Sequence, residues 1–179
     1  MKPKPLATFE HTSHAKELNK SLQRLQKSLI FVGIAAGSKG DSRKDGPANH
    51  LLGFVHEHGS PAANIPARPF LVPGVKSAKN EVMSGMESAM RAALNDDEKA
   101  VKSLLEQTGM KAVSAVKNYM RTGNFEPLKP STIKNRNRSR LTKGKRKNEK
   151  VGQNIKPLVN TGALRDALDY YVEDGSGFA

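Results

Sequence analysis

The sequence predicts an α+β fold, in which a small antiparallel-type sheet packs with several helices. Long segments with apolar residues at helical spacing predict the helices. Two short segments predict strands. Residues 29–36 are rich in β-branched and aromatic side chains, and residues 168–173 alternate apolar with polar side chains. We expect one domain over residues 13–179, preceded by an extended N-terminal arm and carrying a long, mobile basic loop over residues 134–156.

The N-terminal part predicts an arm, a helix and a strand in that order. Pro3 and Pro5 favour an extended arm over residues 1–12. Four leucines at helical spacing predict a helix over residues 13–28. These leucines are Leu18, Leu22, Leu25 and Leu29. The strand over 29–36 follows, because its residues are rich in β-branched and aromatic side chains.

A proline-dense segment separates a short predicted helix over 48–58 from two longer helices over 75–94 and 97–121. Its prolines forbid regular structure until Gly74. The segment also contains several large apolar residues, which a disordered linker would not carry. We therefore predict an ordered, extended loop over residues 59–74 that docks apolar side chains.

The C-terminal part predicts two short helices and a strand. The first helix begins at Pro130, where the chain enters the basic run, and the second begins within residues 161–165. Residues 168–173 then alternate apolar with polar side chains, which predicts a half-buried strand. The sequence does not identify the partner of this strand, and residues 29–36 are one candidate.

Composition limits the class of protein. The chain carries 30 Lys and Arg against 17 Asp and Glu, a formal net charge of +13 that favours anionic partners. It contains no Cys, which excludes disulfides, thiolate metal sites and cysteine nucleophiles. No stretch approaches the ~20 apolar residues of a membrane span, so we expect no membrane partner. The N-terminus lacks an apolar signal core, so we expect no secretion.

The strongest charge feature is the run over residues 129–150, which holds ten Lys and Arg and one acid, Glu149. Such a segment buries too little apolar surface to offset its ordering entropy, so we expect a mobile loop. A polyanionic neighbour, either DNA or an acidic protein, would suit it, and a solvated, solubilising loop is the alternative. The candidate DNA contacts are Lys134, Arg136, Arg138, Arg140, Lys143, Lys145, Arg146 and Lys147.

Catalytic and metal chemistry have little support in the sequence. His50, His56, Glu57 and His58 form the one cluster of ligand-type residues, but its spacing is not His-Glu-x-x-His. The glycine-rich stretch 33–40 lacks the phosphate-loop pattern, and no serine stands in a nucleophile motif. We therefore expect no enzyme, no cofactor and no metal, with a metal-dependent enzyme built on the histidine cluster as a rival hypothesis.

Arg68 lies between Pro66 and Pro69, which fix its backbone and pre-orient its guanidinium. A pre-oriented guanidinium suits bidentate binding of a carboxylate, either that of Glu57 or an acid on another subunit. In the alternative interpretation, Arg68 fastens the loop within its own chain.

Three segments together resemble the neck and tail-completion family of long-tailed bacteriophages, whose members are also called virion-morphogenesis or minor tail proteins. The first runs from Leu-Gly-Phe-Val-His-Glu-His-Gly-Ser-Pro at 52–61 to Asn-Ile-Pro-Ala-Arg-Pro-Phe-Leu at 64–71. The second is Phe-Glu-Pro-Leu-Lys-Pro-Ser-Thr-Ile at 125–133. The third is Pro-Leu-Val-Asn-Thr-Gly-Ala-Leu-Arg at 157–165. Their order and separation are also similar to those of the family.

The resemblance implies a non-enzymatic structural protein of the virion at the head–tail joint, assembled in the host cytoplasm. It would form a ring of about six copies. Its other partners would be neighbouring neck, tail-terminator or tail-tube proteins and packaged DNA. We expect the proline-rich loop to form part of the subunit contact. The candidate interface residues are Glu57, Arg68, Phe70 and Leu71. A sequence-nonspecific nucleic-acid-binding protein is the alternative, supported by the basic run alone.

Overall fold

The computed structural model describes residues 9–43, 46–142, 156–159 and 161–173, without the side chains of 9–14 and 137–142. Within these residues the chain forms seven helices and two strands. In chain order they are α1 (Phe9–Lys27), β1 (Leu29–Gly33), α2 (Asn49–His58), α3 (Leu71–Ser77), α4 (Lys79–Leu94), α5 (Glu98–Thr122), α6 (Pro130–Thr142), α7 (Ala163–Asp166) and β2 (Asp169–Glu173). The two strands pair in a small antiparallel sheet, which confirms the predicted α+β class.

The chain divides into two compact units. Of the residues described, the first unit contains 9–32, 78–112 and 170–173, and the second contains the remainder. The predicted single domain over 13–179 stays a prediction. Across both units, none of the helices in the described ranges is long and apolar enough to cross a membrane.

The first unit is built on contacts between helices and on close approaches at glycines. Helix α1 packs against α4, and the buried core includes Ala89, Ala93 and Leu105. A Cβ on Gly109 would lie 2.4 Å from Cδ2 of Tyr170. The glycine in the middle of α5 therefore makes room for an aromatic ring of β2.

The second unit holds the segments that carry the family resemblance. Its core includes Phe70, Val116 and Leu164, each at most 6% exposed. Helix α3 lies so close to α5 that a Cβ on Gly74 would be 2.8 Å from the Val116 Cα. Helix α2 packs against α7, and Gly53 of α2 lies beside Leu164.

Several predicted boundaries differ from the structure in the N-terminal half. Helix α1 begins at Phe9, four residues before the predicted start, because no proline or glycine interrupts the chain after Pro5. Strand β1 ends at Gly33, not at residue 36. Helix α3 starts at Leu71, inside the predicted extended loop, and a break after Ser77 divides the predicted 75–94 helix into α3 and α4.

The basic run contains more helix than its composition indicates. Residues 134–142 belong to α6, which replaces the first part of the predicted mobile loop. Lys and Arg are good helix formers, and no glycine occurs in this run before Gly144. Residues 143–155, the remainder of that predicted loop apart from Lys156, lie outside the described residues.

Candidate functional site

Glu57, near the end of α2, caps the first turn of α3. Its Oε2 accepts hydrogen bonds from the backbone N–H groups of Phe70 at 2.7 Å and Leu71 at 2.9 Å. Its Oε1 accepts one from the N–H of Val72 at 3.1 Å. The first N–H groups of a helix lack partners within it, and a carboxylate there also interacts favourably with the helix dipole. Glu57 therefore determines where α3 begins.

Arg68 fastens two segments of the second unit to each other. Its side chain is buried, its Nε donates to the carbonyl of Glu126 at 2.8 Å, and its Nη2 donates to that of Pro127 at 3.0 Å. Its own backbone N–H donates to the carbonyl of His56 at 2.6 Å. The guanidinium thus binds main-chain carbonyls, whereas one interpretation of the sequence assigns it a carboxylate, either that of Glu57 or an acid on another subunit. The alternative interpretation, an Arg that fastens the loop, describes the contacts seen.

The four predicted interface residues do not share one environment. Phe70 and Arg68 are 2% and 5% exposed, so a partner subunit could reach their side chains only by displacing parts of their own unit. Within their own unit, Phe70 is a core residue and Arg68 an internal anchor, and their contact with another subunit stays a prediction. Glu57 and Leu71 are half-buried, and their contact with another subunit stays a prediction.

The histidines of α2 face different surroundings. The Nδ1 of His50 lies 2.7 and 2.9 Å from the two carboxylate oxygens of Asp41. Asp41 also accepts hydrogen bonds from the backbone N–H groups of His50 and Gly37, and these bonds hold its pKa below the ordinary value. The ring of His58 stacks on Phe54, with centroids 4.5 Å apart. In the described part of the chain, no group of three His, Asp or Glu could hold a metal ion.

His56 differs from the other two histidines of α2 in having a buried ring nitrogen, Nδ1, without a hydrogen-bond partner among the described residues. Burial, and then the positive charges of Arg68, Arg136 and Arg43, lower the pKa of His56. The ring is therefore held neutral in the folded chain at neutral pH.

The predicted DNA contacts fall into three groups. Lys134 is exposed, whereas Arg136 is half-buried and donates from Nη1 to the carbonyl of Lys156 at 3.2 Å. Arg138 and Arg140 are on α6, but their side chains are outside the described residues. The remaining four lie wholly outside the described residues: Lys143, Lys145, Arg146 and Lys147.

Sequence reasoning missed an exposed apolar surface in the second unit. Leu51, Phe54 and Val72 are 51%, 63% and 52% exposed. Phe54 also borders a cavity of about 200 Å³ that includes Gly53 among its lining residues. The apolar positions of α2 were visible in the sequence, but which of them the core leaves uncovered depends on packing with distant segments.

The three segments that carry the family resemblance meet in the second unit. Arg68 joins the first segment to the second through the carbonyls of Glu126 and Pro127. Gly53 joins the first to the third, since a Cβ there would lie 3.9 Å from Cδ1 of Leu164. Comparisons with protein-family models, curated proteins and solved structures find no match to this chain.

Proposed function

We propose that this chain is a non-enzymatic structural protein of the head–tail joint of a long-tailed bacteriophage. In this proposal, copies of the chain form a ring that completes the tail or joins it to the head. Their basic segments contact packaged DNA or an acidic neighbouring protein.

The observation that supports this most is the mutual contact of the three family-like segments. They are spread over residues 52–165, yet the side chain of Arg68 reaches from the first to the second segment, and α2 packs on α7 of the third. Residues that depend on one another in this way form one structural unit. A resemblance shared by all three segments is therefore a resemblance of that unit, not of three separate short motifs.

The way the polar side chains are used supports a structural role. Glu57 and Arg68 direct their side-chain hydrogen bonds to backbone groups, and Asp41 accepts from two backbone N–H groups in addition to its contact with the His50 ring. Such bonds order backbone segments. A ring subunit needs this kind of preorganised surface, because ordering a loop at the moment of association would weaken binding.

The exposed apolar residues of α2 and α3 support self-association. A ring requires a heterologous interface, in which different surfaces of two identical subunits meet. Phe54 and Val72 are more than half exposed, and Phe54 lines a cavity together with the half-buried Leu71. We propose that a neighbouring copy covers these residues in the ring.

Inactivation of the gene in its phage tests the proposal directly. We expect infected cells to accumulate DNA-filled heads and complete tails that are not joined, as seen by electron microscopy, and the wild-type gene in trans should restore joined particles. Phe54→Ser should yield folded protein that fails to restore them, whereas the matched variant Met110→Ser, which alters an apolar residue of the first unit that is also more than half exposed, should restore them. Normal particles without the chain would refute the proposal.

A sequence-nonspecific nucleic-acid-binding protein is the second candidate. Helix α6 favours it, because this helix carries cations at positions 134, 136, 138 and 140 and no acid. Purified protein that stays monomeric, binds duplex DNA and is dispensable for particle assembly would support this candidate over a ring subunit.

A further inference from the structure

Arg136 contacts other residues of its own unit. It is half-buried and donates to the carbonyl of Lys156. Its charge also contributes to the lowered pKa of the half-buried His56. Lys156 in turn donates from Nζ to the carbonyl of Arg121 at 2.9 Å, at the end of α5, where a cation is favourable. Arg136 therefore belongs to the contacts that hold α6 in place.

Lys134 lies on the other side of the same helix. Two residues along an α-helix are about 200° apart, so positions 134 and 136 face nearly opposite directions. The neighbouring residues agree with this. Ser131 and Asn135 are exposed with Lys134, whereas Thr132 and Ile133 are half-buried with Arg136. In the described part of the chain, Lys134 has no hydrogen-bond or ion-pair partner.

We propose that the cations of α6 have two separate roles, divided by the side of the helix on which they lie. The outward side of the helix carries Lys134. It binds the phosphate backbone of duplex nucleic acid without reading the bases, with Ser131 and Asn135 as additional donors. Arg136, on the opposite side, anchors the helix. This rests on the proposed function only for the presence of DNA beside the segment.

The residues of the outward side favour phosphate over an acidic protein as the ligand. Lys, Ser and Asn side chains are typical donors to phosphate oxygens. Protein interfaces instead depend on large apolar or aromatic anchors, and Ser131, Lys134 and Asn135 supply none. The sequence also has no acid between Glu126 and Glu149 that would repel a phosphate.

Three single-charge variants of the full chain test this division: Lys134→Gln, Arg136→Gln and, as a matched control, Lys79→Gln, which removes an exposed cation of α4. Affinity for a fluorescent duplex of roughly 30 base pairs is measured over a range of salt concentrations. Lys134→Gln should reduce the steepness of the logarithmic salt dependence by about one unit. Arg136→Gln should leave the steepness at the control value and lower the melting temperature.

If Arg136→Gln and Lys134→Gln reduced the salt dependence of DNA affinity equally, the two cations would not have separate roles. The same conclusion would follow if the salt dependence of Lys134→Gln equalled that of Lys79→Gln. Equal affinity for polyglutamate of matched charge would overturn phosphate as the ligand. If the wild-type chain does not bind DNA but still joins heads to tails, this inference fails and the proposed function stands. If the salt dependences are as expected but phage lacking the gene assemble normally, the inference stands and the proposed function fails.

Discussion

The Glu57 carboxylate accepts a hydrogen bond from the backbone N–H of Phe70 at 2.7 Å, across thirteen positions of sequence. Two further N–H groups, of Leu71 and Val72, point to the same carboxylate. This contact starts a helix within a segment whose prolines predict none. Its removal should therefore affect α3 before the rest of the second unit.

We expect Glu57→Gln to lower the free energy of unfolding by about 1–2 kcal/mol, because an amide has one acceptor oxygen, lacks the charge and cannot serve all three donors. Urea unfolding monitored by circular dichroism measures this. Glu87→Gln, an exposed position of α4, is the matched control and should stay within about 0.5 kcal/mol of the wild type. Equal stability of both variants would show that Glu57 does not stabilise α3.

Arg68 gives the second prediction. Arg68→Met removes both side-chain donors while keeping much of the apolar stem, which leaves the carbonyls of Glu126 and Pro127 without these partners. We expect a loss of about 2–4 kcal/mol in unfolding free energy. Arg91→Met, an exposed arginine of α4, should change stability by less than about 0.5 kcal/mol. A stable Arg68→Met chain that cannot assemble would instead restore Arg68 as an interface residue.

The sequence predicted the long helices well because their signal is local. Helices α4 and α5 contain repeated apolar stripes, and α5 begins and ends within one residue of the predicted range. Strand β2 was also predicted within one residue, from alternation over a few positions. Such patterns depend on residues close in sequence, so composition and period are sufficient.

The errors occurred where distant residues decide the outcome. Pro73 indicated a break, but it occupies the first turn of α3, where a missing N–H is tolerated, and Glu57 supplies the cap. Arg68 was expected to bind a carboxylate, yet its acceptors are backbone carbonyls 58 and 59 residues away. Backbone carbonyls occur at every position, so they leave no signal in the sequence.

Two glycines in helices provide the third prediction. An exposed helical Gly→Ala change usually stabilises by about 1 kcal/mol. Gly74→Ala should instead destabilise by about 1–3 kcal/mol, because its Cβ would lie 2.8 Å from the Val116 Cα, a backbone atom that cannot move without shifting α5.

Gly109→Ala should have a smaller effect than Gly74→Ala. The closest atoms to its new Cβ are Cδ2 and Cγ of Tyr170, at 2.4 and 2.8 Å, and a change of χ1 can move the whole ring, whereas the Val116 Cα moves only with α5. Thermal unfolding of the two variants beside Ser114→Ala, an exposed position of α5, measures the difference. A Gly74→Ala chain as stable as the wild type would contradict the close approach of α3 and α5.

The last prediction concerns acid. Burial and nearby arginines lower the pKa of His56 in the folded chain below its ordinary value of 6.5. Between these two pKa values the unfolded chain binds a proton that the folded chain does not, so stability decreases as the pH falls below about 6.5. Stability above that pH is unaffected by this group. We expect His56→Gln to flatten the dependence of unfolding free energy on pH between about 7 and 5.

His58→Gln is the matched control, because His58 is exposed at the end of the same helix and stacks on Phe54. It should retain the wild-type decrease over the same pH range. The Asp41 carboxyl, whose pKa is also lowered, should add a second decrease only at more acidic pH, below its ordinary value of 3.8. If His56→Gln and wild-type chains lose stability in parallel from pH 7 to pH 5, another group is responsible for the acid sensitivity and the pKa of His56 is not lowered in the folded chain.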